Sequence, residues 1–403
     1  MQLSAPVQAL LDVLAGTTET PHSLDAAGWE TLVAEASRHG VSALANQALA
    51  RSGRAPRQVV QALEGHYLRN RLRNLRLYGR LSALLDALAA QAIDVIVLKG
   101  AFLALAVYED AALRPMSDAD LLVRHTDLER AARAMRALGW RQSPALPEGG
   151  HQLPTFELAG VQIDLHWSIE DDAAPFAIDV AGLWQRAVPA AVGQAHALAL
   201  SAEDLLLHLC LHTAYNHGWL QFDGGLRQLA DIAAVVRRYE STLDWSVLAT
   251  RAQAWQASRC VWLGLATARN LLRAGVRDAV LDRLAPLQPH DRWIRMASRL
   301  ALGSHYAELA RRLPVLGRSW MNKRWRRLPR GERWHALLLP AQASLRRAYP
   351  GLANHPALAY AAHWKDLAGE MLRIGLSAQD RALWSFERER RVLTGWLEGR
   401  SAA

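Results

Sequence analysis

The stretch IDVIVLKGAFLALAVYEDAALRPMSDADLLV, residues 93–123, decides the fold. Its opening IDVIVL is rich in β-branched residues, which predicts a buried strand. Gly100 then opens the helical pattern AFLALAVYED, and a turn at residues 113–115 leads into DADLLV. In DADLLV two aspartates alternate with apolar neighbours, as in a strand with one polar face. The order strand, helix, turn, strand predicts a small sheet with helices packed against it.

The pattern extends outward on both sides of this stretch. A helix is predicted at residues 126–139, followed by two strands, LPTFELAG at 153–160 and VQIDLHWSI at 161–169. Apolar residues recur at spacings of three and four before residue 90, and again after Ser201, as in amphipathic helices. We therefore predict an α+β fold, a small mixed β-sheet core flanked by N-terminal and C-terminal helical regions. The predicted boundaries are an N-terminal helical region at 1–90, the core at 91–198, a helical domain at 199–303, and a basic linker with C-terminal helices at 304–403.

Composition excludes several classes of protein. The 403 residues are 51% hydrophobic and include only two cysteines. Two cysteines exclude a disulfide framework and a multi-cysteine zinc site, and they fit a reducing compartment. The opening MQLSAPVQALLDVLAGTTET has no basic segment ahead of an apolar one, and no apolar run approaches the ~20 residues that span a bilayer. We expect a cytoplasmic protein with no membrane span.

The positive charge is concentrated in one segment. The net charge is +9. Residues 311–334 hold nine basic residues and one acid, Glu332, a local charge of +8. The nine are Arg311, Arg312, Arg318, Lys323, Arg324, Arg326, Arg327, Arg330 and Arg333. Trp320, Trp325 and Trp334 are interleaved with them, as in segments that bind single-stranded nucleic acid or an anionic membrane surface. The favoured alternative is a solvated linker whose tryptophans pack on the helical domain, so nucleic acid as a partner stays an open question.

Three aspartates form a candidate metal site. Asp118 and Asp120 are two apart on a strand, so their side chains share one face and lie ~7 Å apart. Two such charges are costly without a cation between them, and Mg²⁺ with nucleotide phosphates is the natural candidate. Asp164 on a neighbouring strand would complete a two-metal site for in-line phosphoryl displacement. Taken alone, an Asp-x-Asp pair is more often a solvated surface feature or a helix cap.

The combined motifs resemble a known family. Residues 95–123 and 161–167 are similar to the uncharacterised nucleotidyltransferase family, within the DNA polymerase beta-like nucleotidyltransferase superfamily. The shared motifs are Leu98-Lys99-Gly100, Arg114-Pro115, residues 118–123, Asp164-Leu165-His166-Trp167, and a helical segment with His208, His212, Leu226-Arg227 and Asp231. The resemblance covers most of residues 25–240 and is specific to the superfamily, though not to a substrate. It implies a magnesium-dependent enzyme with Asp118, Asp120 and Asp164 as the catalytic residues and the ligands of two Mg²⁺ ions.

The resemblance also implies a nucleotide site at the start of the helix. A nucleoside triphosphate such as ATP would place its phosphates near Lys99, Gly100 and Ala101. The wider superfamily has Gly-Ser or Gly-Gly here, whereas this chain has Gly100-Ala101, which offers backbone N–H groups and no hydroxyl. A helix N-terminus still suits an anion. Lys99 would add a positive charge, or alternatively would only extend from the strand end towards solvent.

Two further side chains have both a functional and a structural interpretation. Arg114 would clamp the triphosphate, or would form an ion pair with Asp118 or Glu109. His166 is two residues after Asp164, so on a strand it faces the same side. It would touch the acceptor or a phosphate, or would be a packed core histidine.

The helical segment carries two pairs at i, i+4 spacing. His208 and His212 have the spacing of a zinc pair, but no third ligand is evident, and a hydrogen-bonded contact between helices is the favoured interpretation. Arg227 and Asp231 are most simply a helix ion pair.

The leading hypothesis is a magnesium-dependent nucleotidyltransferase that moves a nucleoside monophosphate from a triphosphate to an acceptor hydroxyl. The acceptor is unknown: a small molecule, a protein or an RNA. One alternative is a non-catalytic binding or scaffold protein on a degenerate nucleotidyltransferase domain, which Ala101 favours. Another is a toxin-like RNA nucleotidyltransferase that would use the basic segment at residues 311–334.

Overall fold

The computed structural model shows a seven-stranded mixed sheet set among helices. It describes residues 3–17, 24–143, 150–216, 225–286, 291–303, 311–321, 328 and 330–400. The N-terminal helices are α1 (Ala5–Leu14), α2 (Ala26–Arg38), α3 (Ser42–Ser52) and α4 (Arg57–Ala89). Helix α4 buries its leucines at positions 77, 81, 84, 85 and 88. This is the spacing of three and four that the sequence shows, and it turns one face of α4 towards the core.

The sheet joins strands from both ends of the predicted core. The strands are β1 (Ile96–Val97), β2 (Asp118–Leu122), β3 (Arg141–Gln142), β4 (Phe156–Leu158), β5 (Val161–His166), β6 (Val188–Val192) and β7 (Ala195–Ala199). Their order is β3-β4-β5-β2-β1-β7-β6. β2 runs parallel to β5 and β1 parallel to β7, whereas the other neighbours are antiparallel. The predicted α+β class and mixed sheet are confirmed.

Three helices lie between the strands: α5 (Lys99–Ala106), α6 (Leu128–Ala137) and α7 (Val180–Gln185). α5 packs against β2, and α4 packs against both α6 and β7. Apolar side chains of β1, β2 and β5 join those of the surrounding helices in one hydrophobic core. The strands are therefore held by burial on the core side, and the polar residues that alternate with the apolar ones face away from it.

The sheet is larger than the sequence pattern predicts. The predicted first strand at residues 93–98 has only two residues in regular pairing, although the Val95 carbonyl still accepts a hydrogen bond from the Leu198 amide. Strands β3, β6 and β7 were not predicted. β6 and β7 are rich in alanine, which has a low strand propensity. They form a hairpin that turns at Gly193, whose φ is +61°.

The chain after the sheet is helical. Its helices are α8 (Ala202–Leu211), α9 (Gly225–Arg238), α10 (Trp245–Ala254), α11 (Ser258–Leu272), α12 (Asp278–Leu284), α13 (Asp291–Leu302), α14 (Pro314–Met321), α15 (Arg330–Leu338), α16 (Gln342–Ala348), α17 (Pro356–Leu376) and α18 (Ala378–Leu397). A π-helical turn, His212–Asn216, continues α8. None of the helices in the described part of the chain has the length and apolar character needed to cross a bilayer.

Part of the basic segment is described. Arg312 pairs with Asp380, and Arg333 donates to the Leu328 carbonyl, so these two cations have partners within the protein. Trp334 is exposed, contrary to a linker whose tryptophans all pack on the helices. Lys323, Arg324, Trp325, Arg326 and Arg327, together with the side chains of Arg318, Trp320 and Arg330, lie outside the described residues. Binding of nucleic acid by residues 311–334 therefore stays a prediction.

Candidate active site

The predicted carboxylates lie on two neighbouring parallel strands. In the register of β2 and β5, Asp120 is opposite Asp164, and Leu122 is opposite His166. Residues two apart on a strand share a face, so Asp118 and Asp120 face the same side as Asp164 and His166. The apolar residues between them are buried in the core. Strand alternation therefore brings all four predicted side chains to one face of the sheet.

Asp120 is the centre of this cluster. Its Oδ1 lies 2.9 Å from the Lys99 Nζ and 3.0 Å from the His166 Nε2. Asp164 accepts a hydrogen bond of 2.6 Å from Thr155 Oγ1, and Asp118 one of 3.1 Å from Ser117 Oγ. Only 13% of the Asp120 side chain is exposed, so its contacts with Lys99 and His166 are largely shielded from solvent.

The three carboxyl groups differ in acidity. Burial raises the pKa of Asp118, and the charge of Asp120 raises it further. Burial and the charge of Asp120 also raise the pKa of Asp164. Burial acts in the same direction on Asp120, but the Lys99 ammonium and the His166 ring outweigh it and hold the pKa of Asp120 well below its usual range. Asp120 therefore stays ionised, and its negative charge makes ionisation of the other two carboxyl groups less favourable.

Lys99 does not extend from the strand end towards solvent, which was one of its two predicted positions. Its side chain is 15% exposed and forms an ion pair with Asp120. Its φ is +44°, a left-handed conformation that is costly for a residue with a side chain. The adjacent Leu98 amide donates to the Asp120 carbonyl, so Lys99 begins α5 directly beside Asp120. The turn from β1 into α5 thus places a cation beside the carboxylates of β2.

Arg114 is fixed by a partner far away in the sequence. Its Nη2 donates to Asp231 Oδ2 at 3.0 Å, and the Tyr108 hydroxyl donates to Asp231 Oδ1 at 2.7 Å. The structural alternative for Arg114, an ion pair with Asp118 or Glu109, is therefore wrong, as is the predicted helix pair of Arg227 with Asp231. Local spacing did not reveal these pairings because Asp231 approaches from α9, across the interface between the sheet and the helical region.

Gly100 leaves room for the Arg114 guanidinium. A Cβ built on Gly100 would lie 2.8 Å from Arg114 Cζ and closer still to Nη1. No side chain caps the first turn of α5, and Ala101 is buried, so this helix start offers backbone N–H groups beside a guanidinium. A helix N-terminus with an adjacent cation suits an anionic ligand. Gly100 is required here by the close approach of Arg114.

Gly100→Ala is expected to destabilise the protein by about 1–3 kcal/mol, because the new methyl group must displace a guanidinium that Asp231 holds. Thermal unfolding followed by circular dichroism measures the change. Gly79→Ala is the matched control, because Gly79 is inside α4 and a Cβ there meets nothing within 4 Å. The control should be as stable as the unchanged protein, or up to about 1 kcal/mol more stable, from helix propensity. Equal melting of the two variants would contradict the proposed role of Gly100.

Neither His208 in α8 nor His212 in the π-helical turn after it belongs to a group of three possible metal ligands within the described residues. The rings of His208 and His212 are 6.1 Å apart. His208 is buried, and neither of its ring nitrogens has a hydrogen-bond partner among the described residues, so the predicted interhelical hydrogen bond is wrong for His208. Within the described ranges, the one group of three possible ligands with atoms within 4.8 Å of one another is Asp120, Asp164 and His166.

Several contributing side chains were missed by sequence reasoning. Thr155 hydrogen-bonds Asp164 from just before β4, and Tyr108 and Asp231 hold Arg114. Thr155 lies just before β4, which pairs with β5, the strand that carries Asp164. A hairpin prediction that included the register of these two strands would therefore have placed Thr155 near Asp164. Tyr108 carries no comparable local signal. Asp231 is among the residues of the family resemblance, but its pairing with Arg114 was missed.

The family comparison matches the part of the chain that forms this site. A model of the family described as "Uncharacterised nucleotidyltransferase" matches residues 25–273, which is more than half of the chain. The match extends from α2 through the whole sheet to α11. No protein in a search of curated sequences matches the chain.

Proposed function

The chain belongs to the uncharacterised nucleotidyltransferase family, and from that premise we propose that it transfers a nucleoside monophosphate from a nucleoside triphosphate to an acceptor hydroxyl, with Mg²⁺. The observation that carries the proposal is that Asp118, Asp120 and Asp164 share one face beside the cationic start of α5. Phosphoryl transfer requires carboxylates that hold the metal ions and, next to them, groups that bind the phosphates.

The carboxylates fit a divalent metal. The pKa values of Asp118 and Asp164 are raised because both groups are buried and because the carboxylates repel one another. A bound cation would stabilise their ionised forms against both effects. Oxygen ligands from Asp118, Asp120 and Asp164 suit Mg²⁺. Two bound Mg²⁺ ions would neutralise the negative charge that develops on the reacting phosphate and on the departing pyrophosphate.

The start of α5 would hold the triphosphate. Backbone N–H groups of Gly100 and Ala101 would donate to the phosphates, and Arg114 lies against Gly100 with its guanidinium held by Asp231. Because Ala101 has no hydroxyl, these amides and the two cations, Lys99 and Arg114, would provide the phosphate contacts. A guanidinium that is already oriented loses little freedom when it binds phosphate.

Asp164 would receive the proton of the acceptor. Its pKa is raised by burial and by the charge of Asp120, so it is a better base than an ordinary carboxylate. The acceptor O–H bond breaks, its proton moves to an Asp164 oxygen, and the acceptor oxygen forms a bond to the α-phosphorus. The bond between the α-phosphorus and the bridging oxygen breaks, and pyrophosphate leaves. Thr155 donates to Asp164 Oδ1, which fixes the orientation of the carboxylate.

Incubation with each α-labelled nucleoside triphosphate, Mg²⁺ and a cell extract tests the proposal. Label should appear on a protein, an RNA or a small molecule, with one equivalent of pyrophosphate released. The position of the label identifies the class of acceptor. Hydrolysis to monophosphate without labelled acceptor, or no consumption of any triphosphate, would contradict the proposal.

The ion pair of Lys99 with Asp120 favours a second candidate, a non-catalytic binding protein on a degenerate domain. In that case Lys99 would neutralise Asp120 permanently, as a metal would. Such a protein would bind a nucleotide without consuming it. Equilibrium binding of a non-hydrolysable triphosphate, with no pyrophosphate released from the natural one, would identify this case.

A further inference from the structure

The Nε2 nitrogen of His166 lies among the carboxylates of the site, at hydrogen-bond distance from Asp120. This nitrogen lies 3.0 Å from Asp120 Oδ1. Two neighbouring ligand atoms of an octahedral ion with bonds of about 2.1 Å are about 3.0 Å apart, so this separation already suits one shared ion. Asp164 completes the group, in which one ligand atom from each of the three residues lies within 4.8 Å of the other two.

The His166 ring is held in place and is not free to turn to solvent. The residue is 2% exposed on β5, and its ring lies against that of His151, with centroids 5.4 Å apart. Its Nδ1 is buried and has no hydrogen-bond partner among the described residues. A buried polar ring makes at least one strong interaction to offset its desolvation, and here that interaction is at Nε2, facing Asp120 and Asp164.

Asp118 does not belong to this group. The possible ligand atoms that lie within 4.8 Å of one another therefore come from two carboxylates and an imidazole. Mg²⁺ prefers oxygen ligands throughout, whereas imidazole nitrogen suits first-row transition metals. A nitrogen in the ligand set shifts the preference of the site away from Mg²⁺.

We infer that Asp120, Asp164 and His166 form a mixed oxygen and nitrogen site for a divalent first-row transition metal, in preference to Mg²⁺, and Mn²⁺ serves as the paramagnetic probe of this site. The inference rests on the proposed function in one respect only, because it takes the cluster of Asp120, Asp164 and His166 as the metal-dependent centre. It concerns which ion the chain selects and through which atom, and it holds or fails without reference to the acceptor.

Electron spin echo spectroscopy of Mn²⁺ added to the protein tests the inference without turnover. Imidazole nitrogen bound to Mn²⁺ gives ¹⁴N modulation of the echo, and carboxylates give none. We expect this modulation in the unchanged protein, its loss in His166→Asn, and at least about tenfold weaker Mn²⁺ binding in that variant. Mg²⁺ should displace Mn²⁺ from the unchanged protein only in more than about tenfold excess.

His151→Asn is the matched control, because His151 is also buried and lies beside His166 but does not belong to the ligand group. It should keep the modulation. Mn²⁺ that binds the unchanged protein without ¹⁴N modulation, or fails to bind, would overturn the inference. Modulation that persists in a folded His166→Asn variant would also overturn it. Should that variant fail to fold, the unchanged protein decides, with ¹⁵N-labelled histidine as the check on the nitrogen signal.

Failure of this inference and failure of the proposed function are distinguishable. Labelled transfer together with Mn²⁺ that shows no nitrogen coupling would retain the transferase and remove His166 from the ligands. Mn²⁺ that shows nitrogen coupling, with no transfer to any acceptor, would retain His166 as a ligand and contradict the transferase.

Discussion

Asp120→Asn is expected to reduce nucleotidyl transfer by about 10²- to 10³-fold or more, to the limit of detection with labelled triphosphate. Asp120 is the carboxylate that faces Asp164, contacts Lys99 and contacts His166, so its loss removes charge at the point where all the other groups converge. The amide keeps the shape and loses the anion. Initial rates at saturating metal and triphosphate measure the effect.

Asp94→Asn is the matched control for this substitution. Asp94 lies just before β1 with its side chain 60% exposed, and pairs with Arg124 at the surface. Its replacement should leave the transfer rate unchanged, because exposed ion pairs contribute little. An Asp120→Asn variant that transferred label at the rate of the Asp94→Asn control would remove Asp120 from the mechanism.

Melting in the absence of metal distinguishes the two aspartates of the pair. Repulsion within Asp-x-Asp alone would make Asp120→Asn more stable, but the Lys99 contact reverses that expectation. The folded pKa of Asp120 lies below its ordinary value, so at neutral pH its charge stabilises the fold, and Asp120→Asn should melt lower. The folded pKa of Asp118 is raised, so its charge is unfavourable at neutral pH, and Asp118→Asn should melt at the same temperature or higher.

The strands that carry the site were predictable because polar and apolar residues alternate along VQIDLH and at the start of DADLLV. In DADLLV and VQIDLH the polar positions are two apart and apolar residues separate them, so one face of each strand was fixed by the sequence. Which strands are neighbours was not fixed. The parallel register that sets Asp120 opposite Asp164 depends on the crossover through α6 and on the β4–β5 hairpin.

The partners of the cations were not predictable from local sequence. Arg114 and Asp231 are 117 residues apart, and the pair depends on how α9 packs against the sheet. The i, i+4 spacing favoured Arg227 as the partner of Asp231, and the structural alternative for Arg114 was an ion pair with Asp118 or Glu109. In the structure Glu109 pairs with Arg51 instead. An i, i+4 pair contributes only ~0.2–0.5 kcal/mol, so a buried partner readily overrides it.

The position of Lys99 required backbone detail that sequence patterns do not contain. Nothing in the run VIVLKG indicates that a lysine adopts a φ of +44°, a conformation usually left to glycine. A lysine with ordinary helical geometry at the start of α5 would direct its side chain elsewhere. The strained conformation beside Asp120 is therefore itself an indication of function, since such strain is concentrated at ligand-binding and catalytic positions.

Lys99→Met is expected to increase the affinity of the nucleotide-free protein for Mn²⁺ or Mg²⁺ by about tenfold or more. The ammonium lies 2.9 Å from Asp120 Oδ1, where it competes with a metal ion for the same oxygen. Removal of a unit positive charge at this distance is worth more than the ~1.4 kcal/mol that corresponds to tenfold, even with strong screening. Methionine keeps most of the length of the side chain and removes the charge. Isothermal titration calorimetry with each metal measures the change.

Addition of a non-hydrolysable triphosphate distinguishes two roles of Lys99: competition with a metal ion for Asp120, and permanent neutralisation of the Asp120 charge. In the unchanged protein the phosphates would draw Lys99 away from Asp120, so nucleotide should strengthen metal binding. In Lys99→Met that dependence on nucleotide should largely disappear, and triphosphate affinity should fall because one phosphate contact is lost. Lys365→Met, on the exposed face of α17, is the control and should change neither affinity. Metal affinity that is unchanged in Lys99→Met, with or without nucleotide, would show that the ion pair does not compete with the metal. Lys99 would then have to be assigned to the fold, as a fixed counter-ion of Asp120.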